Sequence, residues 1–302
     1  MRGIYLVANN QSEALCANLI YSIRAARCRL PIRLIPFGGR PVRSRLVLDE
    51  VEVFQIKDFP EAGRQFVGAI SGVLPNCPRG LLNRILAWFG DWDEFIYSDN
   101  DIVALMNWES LFDFLPGYNL VHADEEYATG GKYDYEQPDM IANCFGINAF
   151  QSAMTSGFFL ARRDLKLLVD MEKAVEWIQK HPTILKHHDQ SFLNVASLVG
   201  KWKTLNLCKP PHHWLSSWAG DYENPLALIL AMQANAAKQI SHLHFSGGMP
   251  NGVDPITDFL SANLNARQRM VHLTKLGALE LGGWHYSRRI KNGLRRRLKK
   301  IF

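Results

Sequence analysis

The sequence predicts an α/β fold in which helices flank a mixed, mostly parallel β-sheet. The chain opens with a strand-like apolar segment at 4–8, a segment of helical spacing, and two more strand-like segments at 32–37 and 51–56. This order of elements is typical of a parallel sheet rather than of a sandwich. A short apolar run at 95–97 is typical of a buried parallel strand. Because Ser-Asp-Asn-Asp follows that run directly, we expect polar side chains at the carboxyl edge of the sheet.

The helices of the first half are predicted from apolar spacing and from end signals. Apolar residues recur at helical intervals over 11–27, where Ser12 stands at the position of an N-cap. A second helix is expected over 79–88, directly after a proline. A short third helix is expected over 107–115, with Asn107 as its N-cap.

The second half continues the alternation of strands and helices. Strands are predicted at 117–123, 155–161, 202–207 and 240–245, and helices at 164–179, 191–199 and 225–237. Residues 125–152 lose periodicity and are rich in Tyr, Gly and Asn, which predicts a long lid or binding loop. Aromatic faces in such a loop suit sugar rings, but packing of each tyrosine on the core is an equally good interpretation.

The composition is that of a folded protein, with 47% hydrophobic and 21% charged residues. No run of about 18 apolar residues is present, so no transmembrane helix is expected. The first apolar run is too short for a signal peptide, so none is expected there. The 5 cysteines are widely spaced and include no Cys-x-x-Cys pair. This argues against a zinc site and a disulfide framework, and favours reduced thiols in a cytoplasm.

The net charge of +5 is unevenly distributed along the chain. Eight Lys or Arg residues and no acid lie in 285–302, so the first 284 residues carry a net charge of −3. A nucleic-acid-binding face on the main part of the chain is therefore not supported. In the tail, apolar residues recur at spacings of four, four and three, which predicts a basic amphipathic helix on an anionic membrane surface. A disordered tail is the alternative.

These patterns predict one domain over residues 1–284 and a separate basic tail over residues 285–302, because no repeat or low-complexity linker divides the first part. With the tail on a membrane, the expected location is the cytoplasmic side, peripheral on the inner face.

Two acidic side chains follow the central strand. Asp99 and Asp101 are one residue apart, so on an extended chain they point the same way. Such carboxylates repel one another unless a cation lies between them, and Mg²⁺ or Mn²⁺ does this while keeping coordination sites for phosphate oxygens. An ordinary turn is the alternative, since Asp and Asn are frequent turn residues. The position directly after an apolar strand favours the metal site.

Further polar residues stand at the ends of later elements. Asp189 belongs to a His-His-Asp-Gln segment that precedes a predicted helix, and we expect its carboxylate to face the same cleft. His242 and His244 are two residues apart on a short strand and so share a face. His244 precedes a Phe-Ser-Gly-Gly turn, where the backbone can approach a ligand closely. A structural role is the more common one for a histidine on an apolar strand.

These motifs together resemble those of the GT-A glycosyltransferases, and most closely those of family 8, which includes glycogenin and bacterial lipooligosaccharide galactosyltransferases. The family pattern is a basic residue on a helix, an Asp-x-Asp, an Asn-Ser-Gly strand, an Asp-Gln that opens a helix and a His-Phe-x-Gly turn. The matching residues, in the same order, are Arg84, Asp99-Asn100-Asp101, Thr155-Ser156-Gly157, Asp189-Gln190 and His244-Phe245-Ser246-Gly247.

The resemblance covers roughly residues 3–250 and departs from the family at two places. Thr155 stands where the family has Asn, and Met249-Pro250-Asn251 replaces a Lys-Pro-Trp. A separate branch of the GT-A fold is therefore the alternative.

The resemblance implies a UDP-sugar donor and bound Mn²⁺ or Mg²⁺. The expected acceptor is a glycan, lipid-linked or cell-envelope acceptor, since a membrane-side location fits a transferase that builds lipid-linked or cell-envelope glycans. The implied metal ligands are Asp99, Asp101 and His244. The implied donor-binding residues are Ala8, Asn9, Asn10, Arg84, Asn100, Ser156, Gly157 and Gly247. Asp189 and Gln190 are expected beside the sugar in a retaining reaction. In an inverting reaction, Asp189 or Asp124 would act as the general base on the acceptor hydroxyl.

Two other functions stay open at this point. A nucleotidyltransferase would also use paired aspartates, but it would need a Gly-rich basic phosphate loop, and residues 6–10 contain neither glycine nor lysine. A catalytically inactive glycan-binding or scaffold protein would keep the fold, but the presence of both Asp99 and Asp101 argues against it.

Overall fold

A computed structural model describes residues 1–123, 131–222 and 239–245 of the 302-residue chain. The strands are β1 (Arg2–Ala8), β2 (Ile32–Pro36), β3 (Glu52–Val53), β4 (Glu94–Ser98), β5 (Ile102–Ala104), β6 (Leu120–His122), β7 (Phe158–Arg162), β8 (Thr204–Asn206) and β9 (His242–His244). The α-helices are α1 (Glu13–Ala25), α2 (Arg45–Leu48), α3 (Glu61–Val73), α4 (Arg79–Leu82), α5 (Pro138–Phe145), α6 (Leu165–Lys180) and α7 (His188–Gly200). Segments of 3₁₀ helix lie at Ile56–Asp58, Asn83–Phe89, Trp108–Phe114, Lys132–Asp134, Ile147–Ser152 and Ala219–Asp221.

Seven of these strands form one mixed sheet in the order β3-β2-β1-β4-β7-β6-β8. Neighbouring strands are parallel except on the two sides of β7, which runs antiparallel to β4 and to β6. Strands β5 and β9 form a separate antiparallel pair. The predicted mixed, mostly parallel sheet flanked by helices is therefore confirmed.

Helices cover both faces of the sheet. Because alternate side chains of a strand point to opposite faces, Ile4 and Leu6 of β1 pack with buried residues of α1, whereas Tyr5 and Val7 pack with those of α3, α6 and α7. Strand β4 is buried on both faces in the same way. This explains why both strands appear in the sequence as continuous apolar runs.

The predicted helix caps have different outcomes. The Asn107 side chain accepts a hydrogen bond from the Glu109 N–H, so this cap is confirmed, although the segment that follows is a 3₁₀ helix. The Ser12 residue precedes α1, but its hydroxyl bonds the backbone of Asn9 instead of capping the helix. The predicted N-cap position of Ser12 is confirmed, but its side chain makes no capping hydrogen bond, because a local turn of the chain engages the hydroxyl.

Several predicted boundaries also change. The described part of the predicted loop, residues 131–152, contains α5 and two 3₁₀ segments, so a long structureless loop was the wrong prediction there. The helix α3 was not predicted, because three glycines lower its helix propensity. The predicted strand at 51–56 is reduced to the two exposed edge residues of β3.

Two predictions fall outside the described residues: the helix at 225–237 and the basic tail at 285–302. Among the helices that are described, none combines the length and the apolar character needed to cross a membrane.

Candidate functional site

A cleft of about 380 Å³ opens where the parallel strands β1 and β4 end. Its wall includes Asn9 from the turn after β1, Tyr97 from β4, and the three residues Asp99, Asn100 and Asp101 that follow β4. The carboxyl ends of parallel strands point to one edge of a sheet, which is where α/β folds bind ligands.

The side chains of Asp99, Asp101 and His244 converge at this edge. Their potential ligand atoms all lie within 4.8 Å of one another, and His244 Nε2 is 3.3 Å from Asp101 Oδ1. The pairing of β5 with β9 brings them together, since Ile102 lies opposite His244 and the Phe245 N–H donates to the Asp101 carbonyl. Two carboxylates and one imidazole are a suitable donor set for a divalent transition metal such as Mn²⁺.

Gly157 holds two members of this cluster in place. Its carbonyl accepts a hydrogen bond of 2.7 Å from the Asp99 N–H. A Cβ atom at this position would overlap the imidazole ring of His244. The close approach of His244 to the backbone therefore requires a glycine here.

Arg84 lies buried beneath the cluster, with 2% of its surface exposed. Its guanidinium is 3.1 Å from Asp99 Oδ1 and 3.0 Å from Asp189 Oδ2, and it donates to the Ser156 carbonyl at 2.7 Å. The same group lies 4.8 Å from the centre of the Tyr97 ring. One cation thus connects the 3₁₀ segment before β4 to the residues after β4, to the segment before β7 and to the start of α7.

The charges of this site do not balance among its own side chains. Asp99, Asp101 and Asp189 carry three carboxylates, whereas Arg84 supplies one permanent positive charge. Burial raises the pKa of Asp99; Arg84 opposes this shift and the neighbouring Asp101 adds to it. Burial would also raise the pKa of Asp101, but the adjacent His244 lowers it below its usual range. The formal excess of two negative charges matches one divalent cation.

Tyr97 adds a further contact to Asp99. Its hydroxyl donates a hydrogen bond of 2.6 Å to Asp99 Oδ1, the oxygen that also contacts Arg84. Sequence reasoning missed this residue, although Tyr97 lies near the end of β4, two residues before Asp99, where side chains on an extended chain share a face. Tyr97 and Arg84 both contact Asp99 Oδ1, and together they orient the Asp99 carboxylate and its second oxygen, Oδ2.

The first turn of α7 carries Asp189 and Gln190. The helix begins at His188, earlier than the sequence predicted, and Asp189 is buried. The Gln190 side chain accepts a hydrogen bond from the Ser156 N–H at 3.2 Å and donates one to Asp134 Oδ1 at 2.8 Å. The backbone of Ser156 therefore bonds Arg84 through its carbonyl and Gln190 through its N–H, which explains why β7 begins only at Phe158.

Asp134 is a fully buried carboxylate that sequence reasoning also missed. It lies in the stretch predicted as a loop, in a Tyr-Asp-Tyr-Glu context that carries no motif. Burial raises its pKa to about 7, although hydrogen bonds from Gln190 and Asn194 act in the opposite direction.

The predicted donor-binding residues lie around the end of β1. Asn9 lines the cleft, and its side chain binds the Gln11 N–H and the Gly38 carbonyl. Asn100 also lines the cleft and donates to the Val7 carbonyl at 2.7 Å, which connects the turn after β4 to β1.

The remaining predicted residues differ in how much the structure says of them. Ala8 is buried at the end of β1, and its carbonyl accepts from the Phe37 N–H. The backbone N–H of Asn10 donates to the Arg40 carbonyl at 3.0 Å. Asp124 and Gly247 lie outside the described residues. The structure thus brings most of the predicted site to one edge of the sheet.

Comparison with known proteins gives a family and a fold. The family model described as "Glycosyl transferase family 8" matches residues 82–249, which is more than half of the chain. No curated protein sequence matches this chain.

Three solved structures share the fold at low sequence identity. The apo structure of the WbbM bifunctional glycosyltransferase has a TM-score of 0.55 and 15% identity, over 90% of this chain and 51% of that chain. The galactosyltransferase LgtC, in complex with donor and acceptor sugar analogs, has a TM-score of 0.51 and 14% identity, over 89% of this chain and 99% of its own. Mouse xyloside xylosyltransferase 1 has a TM-score of 0.50 and 11% identity, over 83% of this chain and 100% of its own. This chain thus spans about half the length of the WbbM chain, and the predicted GT-A fold is confirmed.

Proposed function

The chain belongs to glycosyl transferase family 8, and we propose that it transfers a sugar from a UDP-sugar to a glycan or lipid-linked acceptor in a metal-dependent, retaining reaction. The observation that carries this proposal is the convergence of His244 with Asp99 and Asp101, the two carboxylates that line the cleft. The LgtC structure of the same fold was solved with donor and acceptor sugar analogs, which supports a sugar donor as the substrate. A nucleotidyltransferase is no longer favoured, because the family is one of glycosyl transferases.

The residues of the cluster fit a divalent cation. The donor set is two carboxylates and an imidazole, and the excess negative charge around Arg84 equals the charge of one such ion. Bound Mn²⁺ or Mg²⁺ would act as a Lewis acid for the negative charge that develops on the departing diphosphate. The protein itself holds the three ligand atoms together before the ion binds. Gly157, Tyr97 and the pairing of β5 with β9 maintain this arrangement.

The donor nucleotide is assigned to the end of β1. Asn9 and Asn100 present polar groups to the cleft, and Phe37 and Leu81 add apolar surface to its wall. These are suitable for a base and its ribose next to the metal cluster. We keep Ala8, Asn10, Ser156, Gly157 and Gly247 as predicted donor contacts, of which Gly247 lies outside the described residues.

The sugar is assigned to the space beside Asp189 and Gln190. Asp189 is held by Arg84 at 3.0 Å, and Gln190 is held by Ser156 and Asp134. Arg84 itself is buried between two carboxylates, so its contribution is to fix and neutralise them beneath the diphosphate. Asp124 stays a predicted alternative base for an inverting reaction. The domain over 1–284 and the membrane-binding tail over 285–302 also stay predictions.

Calorimetry with UDP tests this assignment. The protein is titrated with UDP in the presence of Mn²⁺ and in the presence of a chelator, beside an Asp99→Asn/Asp101→Asn variant. The exposed Asp113, on the 3₁₀ segment Trp108–Phe114, supplies the matched control Asp113→Asn. We expect Mn²⁺-dependent binding in the wild type and in the control, and its loss in the double variant. Equal UDP binding by wild type and double variant, or no binding with any metal, would overturn the donor site.

A further inference from the structure

Asp134 stands in an unusual environment for a carboxylate. It has no exposed surface, and no Lys, Arg or His of the described chain forms an ion pair with it. Its segment is fixed against residues 184–186 by the Tyr135–Leu185 bridge and by a hydrogen bond from the Lys186 N–H to the Asp134 carbonyl. A buried charge without a cation is costly, so its hydrogen-bond donors decide what it does.

Both carboxylate oxygens accept from side-chain amides of α7. Gln190 Nε2 donates to Oδ1 at 2.8 Å, and Asn194 Nδ2 donates to Oδ2 at 2.9 Å. The orientation of each amide is set by the backbone on its other side. Asn194 bonds both the N–H and the carbonyl of Met154, each at 2.9 Å, and the Gln190 oxygen accepts from the Ser156 N–H. Both NH₂ groups therefore face Asp134.

We propose that Asp134 is a positioning residue for the transfer reaction, whose ionised carboxylate holds the Gln190 amide with its oxygen toward Ser156, beside Arg84 and Asp189. The inference rests on the proposed function, since that function places Gln190 next to the transferred sugar. It adds a residue of the 3₁₀ segment Lys132–Asp134 to the site.

The ionised form holds the two amides best, because a neutral carboxyl group carries a hydrogen on one oxygen and has fewer lone pairs left to accept from them. Asn194 is held on its other side by two bonds to the backbone of Met154, and the Gln190 oxygen is held by the Ser156 N–H. Protonation of Asp134 at Oδ1 therefore weakens the bond from the Gln190 NH₂, and the Gln190 amide is then fixed less firmly beside Ser156.

The proton equilibrium of Asp134 falls in an accessible range. Burial raises its pKa to about 7, and the charged group that adds to this shift is Asp189, from the first turn of α7. The other groups of α7 that contact Asp134, namely Gln190, Ser191 and Asn194, do not titrate. Transfer is thus expected to increase as the pH rises through about 7.

The test is the pH profile of Asp134→Asn, with Asp139→Asn on the exposed first turn of α5 as the matched control. In the variant, the NH₂ of the introduced amide opposes one of the two amides of α7 at every pH. We expect kcat at pH 8 to fall by about 10- to 100-fold while KM for the donor changes by less than about twofold, and the rising limb near pH 7 to disappear. A variant with the wild-type profile and a wild-type kcat would overturn the proposal.

A second readout does not depend on turnover. The side-chain ¹⁵N–¹H signals of Gln190, identified as the pair missing from a Gln190→Glu variant, are followed between pH 5 and pH 9. The proposal predicts a shift with a midpoint near 7 that Asp134→Asn abolishes; signals that do not titrate contradict it. If the wild type neither binds UDP nor releases it from any UDP-sugar, the proposed function fails, whereas this titration still decides whether Asp134 controls Gln190.

Discussion

Arg84 and Asp189 form a buried ion pair, with 3.0 Å between the guanidinium and Asp189 Oδ2 and side-chain exposures of 3% and 7%. The pair joins the 3₁₀ segment before β4 to the first turn of α7. Since the same guanidinium also contacts Asp99, one buried cation organises both the metal cluster and the residues assigned to the sugar.

Removal of this cation is expected to destabilise the fold. The substitution Arg84→Met leaves the buried Asp189 and the half-buried Asp99 without the guanidinium between them, and loss of one member of a buried pair costs about 3–5 kcal/mol. The free energy of unfolding from urea titration measures the effect. The exposed Arg79 of α4 gives the control Arg79→Met, for which we expect a change within about 0.5 kcal/mol. Equal stabilities of the two variants would contradict the role given to Arg84.

The substitution Gly157→Ala should weaken metal binding. The added methyl group overlaps the His244 ring, so the imidazole has to leave its place beside Asp101. We expect the Kd for Mn²⁺ to rise by about 10- to 100-fold in calorimetry. A Cβ at Gly68 of α3 meets no atom within 4 Å, so Gly68→Ala is the control, expected to leave the Kd unchanged. Unchanged Mn²⁺ affinity in Gly157→Ala would show that His244 is not a ligand.

The substitution Tyr97→Phe removes only a hydroxyl that donates to Asp99 Oδ1. Without it Asp99 loses part of its fixed orientation, and we expect the Mn²⁺ affinity to fall by about tenfold while the melting temperature changes little. Tyr118→Phe, in the turn before β6, serves as the control. A fall in melting temperature with unchanged Mn²⁺ affinity would assign Tyr97 to the core instead.

Stability should depend on pH through Asp134. Its pKa is about 7 in the folded state and near 3.8 when unfolded, so between these values the folded state holds a proton that the unfolded state has lost. The contribution of Asp134 to stability is therefore full below about pH 4 and is lost as the pH rises to 7, with a slope that approaches about 1.4 kcal/mol per unit. The free energy of unfolding, measured with urea, should fall between pH 5 and pH 7 in the wild type. We expect this fall to be smaller by about 2 kcal/mol in Asp134→Asn. Equal pH slopes would contradict the raised pKa.

Those parts of the fold and site that depend on local sequence were predictable. The apolar runs of β1 and β4 indicated the central strands, because parallel strands buried on both faces are continuously apolar. The position of Asp99 and Asp101 directly after β4 indicated the paired carboxylates, although residues 100 and 101 form a turn and not the extended chain on which the shared face was predicted. Asp189 was expected at the cleft from its position before a helix, whereas the grouping of Arg84 and His244 with the paired aspartates followed only from the resemblance to a family, since these residues are distant in sequence.

The missed residues depend on tertiary contacts. Asp134 acquires its role from amides of α7 and from its burial, neither of which is encoded in the residues beside it. The helix α3 forms despite its glycines because its apolar face packs on the sheet, which outweighs the weak propensity. The Ser12 hydroxyl bonds Asn9 because the turn after β1 brings that backbone within reach.

Release of UDP from a panel of UDP-sugars measures directly whether the protein is a metal-dependent glycosyltransferase. The assay is run with the purified protein in Mn²⁺ and again in excess chelator, with Asp101→Asn beside the control Asp113→Asn. We expect release of UDP from at least one UDP-sugar that stops in chelator, returns when Mn²⁺ is restored, and is reduced by about 100-fold or more in Asp101→Asn only. UDP release that continues in chelator and in Asp101→Asn, or no release from any UDP-sugar in Mn²⁺, would contradict a metal-dependent glycosyltransferase that uses this site.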